Sequence, residues 1–244
     1  MSAVLAVGYR GWCRYRRTPQ TVVMPVLQAV AFLLIFRYVF GGAIQAGGAY
    51  VDFMVPGLVT VSAMFAAMGT AIGVADDLRH GVYDRLRSLP APRVAVLAGR
   101  ALADTGLVAF VLAVTAAIAF ATGFRAHGGW LPALAAFGLC VAFGLTFVWV
   151  FIALGLLTGN PQAAGGIGFL VLPLSFASSA YVPVESMPGW LRAFAEHQPV
   201  TVTIDAVRAL SQGRDADVTA ALVWMVAIVV TCATVSIVRF QRRD

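Results

Sequence analysis

The densest group of charged residues in the sequence lies between two long apolar stretches, in the segment ADDLRHGVYDRLRSLPAPR that ends at Arg93. Four of its apolar residues recur at helical spacing, which places them on one face of a helix: Leu78, Val82, Leu86 and Leu89. Acidic and basic side chains occupy the other faces. Gly81 permits a bend, and Pro90 and Pro92 end the helix. A short, rigid helix with one apolar and one charged face could dock onto a soluble partner and transmit its movement.

A simpler interpretation of the same segment is that its arginines only hold a loop on the cytoplasmic side of a membrane. Such a topological signal requires arginines but no acidic residues, no apolar stripe and no proline stops. The segment has acidic residues, an apolar stripe and proline stops, and these three features favour docking onto a partner.

The basic residues restrict the catalytic chemistry of the chain. All 17 are arginines. A phosphate-binding P-loop and a Schiff base both require a lysine amine. The chain therefore contains neither, and if the protein uses ATP, a separate polypeptide must hydrolyse it. We expect no cofactor in this chain, with ATP and Mg²⁺ held by that partner.

Other patterns of catalytic or metal-binding residues are missing from the sequence. No serine stands in a G-x-S-x-G motif, and no H-E-x-x-H motif occurs. The three cysteines and three histidines do not stand at metal-ligand spacing. We therefore expect no catalytic residue, no metal site and three free thiols. No aromatic and basic segment outside the apolar stretches indicates nucleic-acid binding.

The apolar stretches are nearly free of ionisable residues, which argues against a carrier driven by protons or ions. Candidates for lining a substrate path are polar or aromatic residues within these stretches: Gln28, Thr146, Trp149, Ser175, Ser178 and Ser179. Packing explains these residues equally well, since serine hydroxyls in helices bond to backbone carbonyls.

The elements that must position these residues are membrane helices. The chain is 60% hydrophobic and 11% charged, with a mean hydropathy of +0.86, whereas soluble domains carry about a quarter charged residues. A transmembrane helix requires about 20 apolar residues. Six stretches qualify: 21–40, 53–75, 101–123, 131–157, 163–182 and 217–238. The predicted fold is an all-α polytopic membrane protein with six transmembrane helices.

Six spans place both termini on one side of the membrane, together with twelve of the 17 arginines. The positive-inside rule makes that side cytoplasmic. Residues 1–20 carry arginines and aromatic residues typical of an interfacial amphipathic helix. A frayed basic tail that only sets the topology is the alternative.

The segment 183–215 joins the fifth and sixth predicted spans. It is too apolar for a plain loop, too charged to span, and punctuated by prolines. We expect two short outer helices that dip part-way into the membrane. An alternative function is a membrane-embedded lipid-modifying enzyme using Glu185, Glu196 and His197. A membrane scaffold that recruits a partner without transport is a second alternative.

The sequence resembles the membrane subunit of type-2 ABC exporters, specifically the daunorubicin-resistance-like permease group. The resemblance covers nearly the whole chain. Its strongest matches are four runs: FRYVFGGAI at 36–44, YVDFMVPGL at 50–58, DDLRHGVYDRLRSLPAPRVAVLAGRALAD at 76–104 and LPLSFASSAYVPVESMPGWLRAFAEHQPVT at 172–201.

The resemblance implies a permease that pairs with a second permease subunit, either itself or a paralogue, and with separate nucleotide-binding ATPase subunits. It implies one transmembrane domain over 21–244, with a cytoplasmic coupling loop over 76–100, in the bacterial cytoplasmic membrane. The expected cargo is a hydrophobic or amphiphilic small molecule, such as a drug or lipid. The residues that the resemblance assigns to coupling are Asp77, Gly81, Asp84, Arg85, Arg87, Ser88, Leu89, Pro90 and Arg93.

Overall fold

The regular structure of the chain is helical. A computed structural model describes residues 3–40, 50–83 and 93–241. Its α-helices are α1 (Ala3–Arg17), α2 (Gln20–Ile35), α3 (Tyr50–Arg79), α4 (Arg93–Ala121), α5 (Trp130–Thr158), α6 (Pro161–Gly168), α7 (Val171–Phe176), α8 (Gly189–His197), α9 (Pro199–Gln212) and α10 (Thr219–Gln241). A π-helical turn (Phe36–Phe40) continues α2, and a 3-10 turn (Val184–Ser186) precedes α8. No β-strand occurs in the described ranges, which confirms the all-α fold class.

Five helical segments in the described part of the chain are long and apolar enough to cross a bilayer. They are Gln20–Val39, Tyr50–Arg79, Val94–Ala121, Trp130–Thr158 and Thr219–Phe240. Each coincides with one of the predicted spans, and the polytopic membrane class is confirmed.

The stretch predicted as the fifth span, 163–182, contains two short helices instead of one long one. The apolar helical region Pro161–Phe176 is shorter than the about 20 residues that cross a bilayer. Asn160 starts α6 by accepting the backbone N–H of Gln162 at 2.9 Å. Glycines at 165, 166 and 168 weaken this helix, and Pro173 removes one backbone donor from α7. A sixth crossing is not confirmed and stays a prediction, with α6 and α7 as its two halves.

Helix α3 lies at the centre of the fold and packs against α2, α4, α5, α6 and α9. Its contact with α5 is close because small residues face one another there. A Cβ atom at Gly155 of α5 would lie 2.6 Å from the carbonyl oxygen of Ala71 on α3. Glycine at this position lets the two helix backbones approach directly, as is common between membrane helices.

Helix α9 is held against α3 at a backbone irregularity. Pro56 lies inside α3 and has no N–H, so the carbonyl of Asp52, four residues earlier, lacks its helical partner. Gln212 of α9 donates its Nε2 to this carbonyl at 3.2 Å. Arg208, also on α9, donates its Nε to the carbonyl of Phe53 at 3.1 Å. Such bonds satisfy backbone groups that water cannot reach inside a membrane.

The two predicted outer helices form as α8 and α9, within the expected range 183–215. They differ in burial: Trp190 and Phe194 of α8 are exposed, whereas Ile204 and Val207 of α9 are buried against the long helices. Their re-entry into the membrane stays a prediction. The cytoplasmic location of both termini also stays a prediction.

Helical structure extends farther into the charged segment 76–100 than expected. Helix α3 continues to Arg79, and α4 begins at Arg93, so Asp77 and Arg100 are helical residues and not loop residues. The cause is that Val74 and Ala75 are still fully buried in the core. Asp77, two residues farther along, is neutralised by Arg14 of α1 and Arg100 of α4.

Candidate functional site

The N-terminal helix α1 packs on α4 through small residues. A Cβ atom at Gly11 would lie 2.5 Å from the Cβ of Ala103, and one at Gly8 would lie 3.5 Å from the carbonyl oxygen of Gly99. Only glycine allows this approach at position 11. The close contact brings the C-terminal turn of α1 beside the end of α3 and the start of α4.

Five side chains from these three helices meet at this point. Arg100 of α4 donates its Nη1 to Asp77 Oδ2 of α3 at 2.6 Å and its Nε to Asp104 Oδ2 at 2.7 Å. Arg14 of α1 donates its Nη1 to the same Asp77 oxygen at 3.2 Å. The Tyr15 hydroxyl donates to Asp104 Oδ1. We call Arg14, Tyr15, Asp77, Arg100 and Asp104 the charge cluster.

The charge cluster is shielded from solvent to different degrees along its length. The side chain of Asp104 is 2% exposed, that of Arg100 13% and that of Asp77 17%, whereas Arg14 is 38% exposed. Two guanidinium groups balance two carboxylates, so no net charge is buried. Because truncating one member of a buried ion pair leaves an uncompensated charge, each member depends strongly on the others.

A glycine on α3 makes room for the buried arginine. A Cβ atom at Gly73 would lie 2.5 Å from Arg100 Nη2. In the sequence, Gly69 and Gly73 form a G-x-x-x-G pattern that predicts helix packing. The structure gives them different surroundings, since no atom outside its own helix lies within 4 Å of the Cβ position at Gly69. Gly73 therefore accommodates a charged side chain and not a helix backbone.

Tyr83 connects the charge cluster to the end of α10. Its ring packs edge-on against Phe240, with centroids 5.4 Å apart and an interplanar angle of 81°. Burial, with a smaller contribution from the Asp77 carboxylate, raises the pKa of Tyr83 to about 12. Burial, followed by the adjacent Asp104 carboxylate, likewise raises the pKa of Tyr15. Both tyrosines are therefore neutral at physiological pH.

Comparison with known proteins assigns the sequence of the chain to a family. The model of the ABC-2 type transporter family matches residues 2–211 of the chain. The chain belongs to the ABC-2 type transporter family. A daunorubicin resistance ABC transporter permease protein of Streptomyces coeruleorubidus is 34% identical over 215 residues, covering 87% of this chain and 76% of the relative. A doxorubicin resistance ABC transporter permease protein of Mycobacterium tuberculosis is 28% identical over 272 residues, covering 98% and 91%.

The expected resemblance to the permeases of drug-resistance ABC transporters is thus confirmed. So is the expected localisation, as a multi-pass protein of the cytoplasmic membrane. The charge cluster lies within the matched region of this ABC-2 protein.

The predicted coupling residues of this ABC-2 protein are only partly described. Asp77 belongs to the charge cluster, and Gly81 turns the chain after α3 with a φ of 65°, a conformation that favours glycine. Arg93 begins α4. The remaining predicted coupling residues lie outside the described residues: Asp84, Arg85, Arg87, Ser88, Leu89 and Pro90. Their role stays a prediction.

The residues predicted to line a substrate path do not share one environment. Gln28 of α2 is exposed and borders a small gap beside Ser62 and Tyr181. Thr146 of α5 is buried and donates its hydroxyl to the carbonyl of Ala142 in the same helix. Trp149, one turn farther along α5, is half-buried. A role in transport stays a prediction for these residues.

The three predicted path serines lie at the end of α7 and are all buried. The hydroxyls of Ser175 and Ser178 donate to nearby backbone carbonyls, of Leu172 and Ser175 respectively. These bonds agree with a structural role. Ser179 differs because its hydroxyl donates to Asp205 Oδ1 of α9 at 2.9 Å.

Arg208 is a residue that sequence reasoning missed. Its guanidinium carbon lies 3.9 Å from the ring centroid of Phe53, and its Nη2 donates to the carbonyl of Ser179 at 2.8 Å. Its Nη1 donates to Asp205 Oδ1 at 2.6 Å. Burial lowers the pKa of Arg208, while the nearby Asp205 carboxylate opposes that shift. We call this group of contacts the α9 clamp.

The spacing of opposite charges in the sequence could have revealed both the charge cluster and the α9 clamp. Asp205 and Arg208 stand three residues apart, and Arg100 and Asp104 stand four apart, each in a largely apolar helix. Opposite charges at these spacings share a helix face. Charges within apolar helices face protein or water-filled space, so such pairs indicate tertiary partners.

Two of the residues considered for an enzymatic function, Glu196 and His197, make local contacts within α8. Glu196 accepts a hydrogen bond from Arg192 Nε at 2.6 Å on the exposed side of α8. His197 Nδ1 lies 3.0 Å from the carbonyl oxygen of Ala193. Among the described residues, no cluster of His, Cys, Asp and Glu side chains could hold a metal ion.

Proposed function

We propose that this chain is the permease subunit of an ATP-driven exporter. It belongs to a transporter family, and its relatives are named as ABC transporter permeases. Because the sequence lacks lysine, it lacks a P-loop. ATP hydrolysis is therefore assigned to a separate nucleotide-binding subunit, which holds the ATP and Mg²⁺.

The observation that carries the proposal is the charge cluster. It joins α1, α3 and α4 at the two ends of the charged segment that we assign to the ATPase contact. Arg100 binds Asp77 and Asp104 together, and Arg14 ties α1 to the same carboxylate. Helices linked by buried charges of this kind move as a unit, because separating them would leave charges unpaired in a low-dielectric region.

The mechanism follows from this linkage. Closure of the two ATPase subunits on ATP displaces the charged segment. The charge cluster passes that displacement to α3, at the centre of the fold, and to α4. The substrate path changes between inward-facing and outward-facing states whose affinities for the substrate differ, and ATP supplies the driving free energy.

The proposed cargo is a hydrophobic or amphiphilic small molecule. The names of the relatives refer to resistance to daunorubicin and doxorubicin. The described spans carry few ionisable residues, so an apolar cargo fits the path better than an ion does. An anthracycline drug is therefore the first compound to test, with a lipid as the second.

A second permease subunit is the proposed membrane partner. Apolar side chains remain exposed on α2 and α10, among them Val23, Leu27, Val223 and Val226. Such faces suit either lipid or another copy of the chain. The partner is this chain itself or a paralogue.

The test is reconstitution of the chain into vesicles together with a P-loop ATPase whose gene adjoins that of the chain. We expect ATP-dependent movement of daunorubicin that requires both polypeptides and stops when the ATPase carries an inactive P-loop. Transport at an undiminished rate by the chain without any ATPase would refute the proposal.

The same preparation separates the alternatives. Chemical modification of lipid by the chain alone would indicate an enzyme. Binding of the ATPase without transport of daunorubicin or of labelled lipid would indicate a scaffold. Either outcome contradicts the exporter proposal.

A further inference from the structure

An apolar cavity of about 630 Å³ lies between α3, α4, α5 and α9. Its inner wall consists of buried residues, including Val55, Val59, Ala119, Ala136 and Cys140. This volume is within the range of about 300–1,000 Å³ typical of small-molecule sites. None of the six residues predicted for the substrate path lines it, so it is a separate feature of the molecule.

The cavity lies at the opposite face of the membrane from the charge cluster. Pro56 of α3 lines it, and Asp77 of the same helix belongs to the charge cluster. The 21 residue steps from Pro56 to Asp77 span about 32 Å at 1.5 Å per residue, which matches a hydrocarbon core of about 30 Å. With the charge cluster on the cytoplasmic side, the cavity lies in the outer leaflet.

The mouth of the cavity is formed by exposed apolar and aromatic side chains. Trp130 is 78% exposed, Leu134 59% and Phe120 40%. Tryptophan prefers the depth of the lipid headgroups. The exposed rim therefore places the mouth of the cavity at the headgroup level, with its apolar wall below.

One charged side chain stands among the lining residues, at the headgroup end. Arg125 is exposed, and its Nη1 donates to the carbonyls of Phe120 and Phe124 at 2.9 and 3.0 Å. No carboxylate in the described part of the chain lies within ion-pair distance of it. None of the carboxylates in the described ranges therefore compensates its positive charge.

The loop that carries Arg125 is held in place. The backbone N–H groups of His127 and Gly128 both donate to the carbonyl of Ser211 on α9, at 3.0 and 3.3 Å. A Cβ atom at Gly128 would lie 2.7 Å from the backbone of Gly213. Arg125 is therefore held at the rim of the cavity by a backbone contact that only glycine permits.

A second source of positive potential lies beside Arg125. Helix α5 begins at Trp130 after Gly129, which has no side chain with which to cap it. The first backbone N–H groups of a helix lack partners within it and attract anions. Gly129 and Trp130 both line the cavity, so these donors lie at the same rim as the guanidinium.

We propose that this cavity is a binding site for an anionic phospholipid of the outer leaflet. One acyl chain occupies the space between α3, α4 and α5. The phosphate lies between the Arg125 guanidinium and the start of α5. A purely apolar occupant would leave the guanidinium without an anion, and a soluble anion would leave the apolar wall unfilled. A lipid with a negative headgroup provides an anion for the guanidinium and an acyl chain for the apolar wall.

The test uses photoactivatable phospholipids with a diazirine in the middle of one acyl chain. The full chain is reconstituted with the phosphatidylglycerol form or with the matched phosphatidylcholine form, and mass spectrometry maps the labelled residues. We expect phosphatidylglycerol to label the cavity lining about fivefold more than phosphatidylcholine, the factor expected for one basic residue near a membrane surface.

Two variants separate the contributions of charge and volume. Arg125→Gln should abolish the preference for phosphatidylglycerol, whereas Arg214→Gln, at an exposed arginine that does not line the cavity, should retain it. Ala133→Trp occupies part of the cavity and should reduce labelling by both lipids. The matched control is Ala135→Trp, two residues along α5 at an exposed position away from the cavity.

Several results would overturn the proposal. Equal labelling by the two lipids in the unmodified chain would remove the role of Arg125. Cavity labelling that is undiminished by Ala133→Trp in a folded protein would mean that the acyl chain is not inside the cavity. Displacement of the label by an equimolar amount of oleate would assign the site to free fatty acid. If Ala133→Trp does not fold, the proposal is still tested by Arg125→Gln. Retention of the preference for phosphatidylglycerol in that variant would refute the proposal.

Discussion

Arg100 of α4 donates to Asp77 of α3 at 2.6 Å, across a sequence separation of 23 residues. The bond bridges the two ends of the charged segment that the sequence singles out. It ties the helix that enters the segment to the helix that leaves it. The N-terminal helix joins the same carboxylate through Arg14.

Removing Arg100 should destabilise the protein strongly. Arg100→Ala leaves Asp77 and Asp104 without their principal cation, and a broken buried pair costs about 3–5 kcal/mol. The measurement is thermal or denaturant unfolding in detergent. The control is Arg192→Ala, which breaks the exposed pair with Glu196 and should destabilise the protein far less, since solvent screens exposed pairs. Equal effects of the two substitutions would contradict the buried character of the charge cluster.

Displacing α1 should weaken coupling without removing a charge. Gly11→Leu places a side chain where Ala103 already lies and should cost about 1–3 kcal/mol by overpacking. We expect faster proteolysis of the N-terminal segment and slower ATP-driven transport. Gly138→Leu is the matched control, because its Cβ position is open. If Gly11→Leu left both protease resistance and transport unchanged, α1 would have no part in coupling.

The predicted coupling residues can be tested although they lie outside the described residues. The double variant Asp84→Ala/Arg85→Ala should reduce transport while the protein still inserts in the membrane and the ATPase still hydrolyses ATP. The matched control is Arg214→Ala/Asp215→Ala, a neighbouring pair of exposed charges in another loop. Normal transport by the coupling variant would show that the assignment is wrong.

Tyr83 should lose its hydroxyl proton at a higher pH than an ordinary tyrosine does. Its pKa in the folded protein is about 12, above the ordinary value of 10.0. The folded state thus holds this proton more tightly than the unfolded state does. The associated stability is fully present below pH 10 and is lost as the pH rises through 12. Absorbance titration of tyrosinate should lose a component near pH 12 in Tyr83→Phe; an unchanged titration curve would place Tyr83 in a more exposed site.

Arg208 should not be replaceable by lysine. Its guanidinium lies over Phe53 and donates to two backbone carbonyls and Asp205. Lysine has no planar fork with which to make all these contacts. Arg208→Lys and Arg208→Ala should therefore both lower the midpoint of thermal unfolding and speed proteolysis between α8 and α10. Full stability of the lysine variant would mean that charge alone is required.

Much of the fold was readable from the sequence because membrane helices obey a simple length requirement. Five predicted spans appear as long helices, and the all-α class follows from them. The stretch predicted as the fifth span, 163–182, has the composition of a span but is divided around Phe169 and Leu170 into α6 and α7. Hydropathy averages over a window and does not register where glycine and proline interrupt the hydrogen bonds of a helix.

The sequence by itself determined the membrane class, the helical content, the absence of a P-loop and the family resemblance, because each depends on local composition or on motifs. Only the tertiary structure decided which charges meet: Asp77 with Arg14 and Arg100, and Arg208 with Phe53. These partners lie on different helices, and the packing angle of one helix on another depends on many contacts at once. The lipid-sized cavity arises in the same way, since no single helix encloses it.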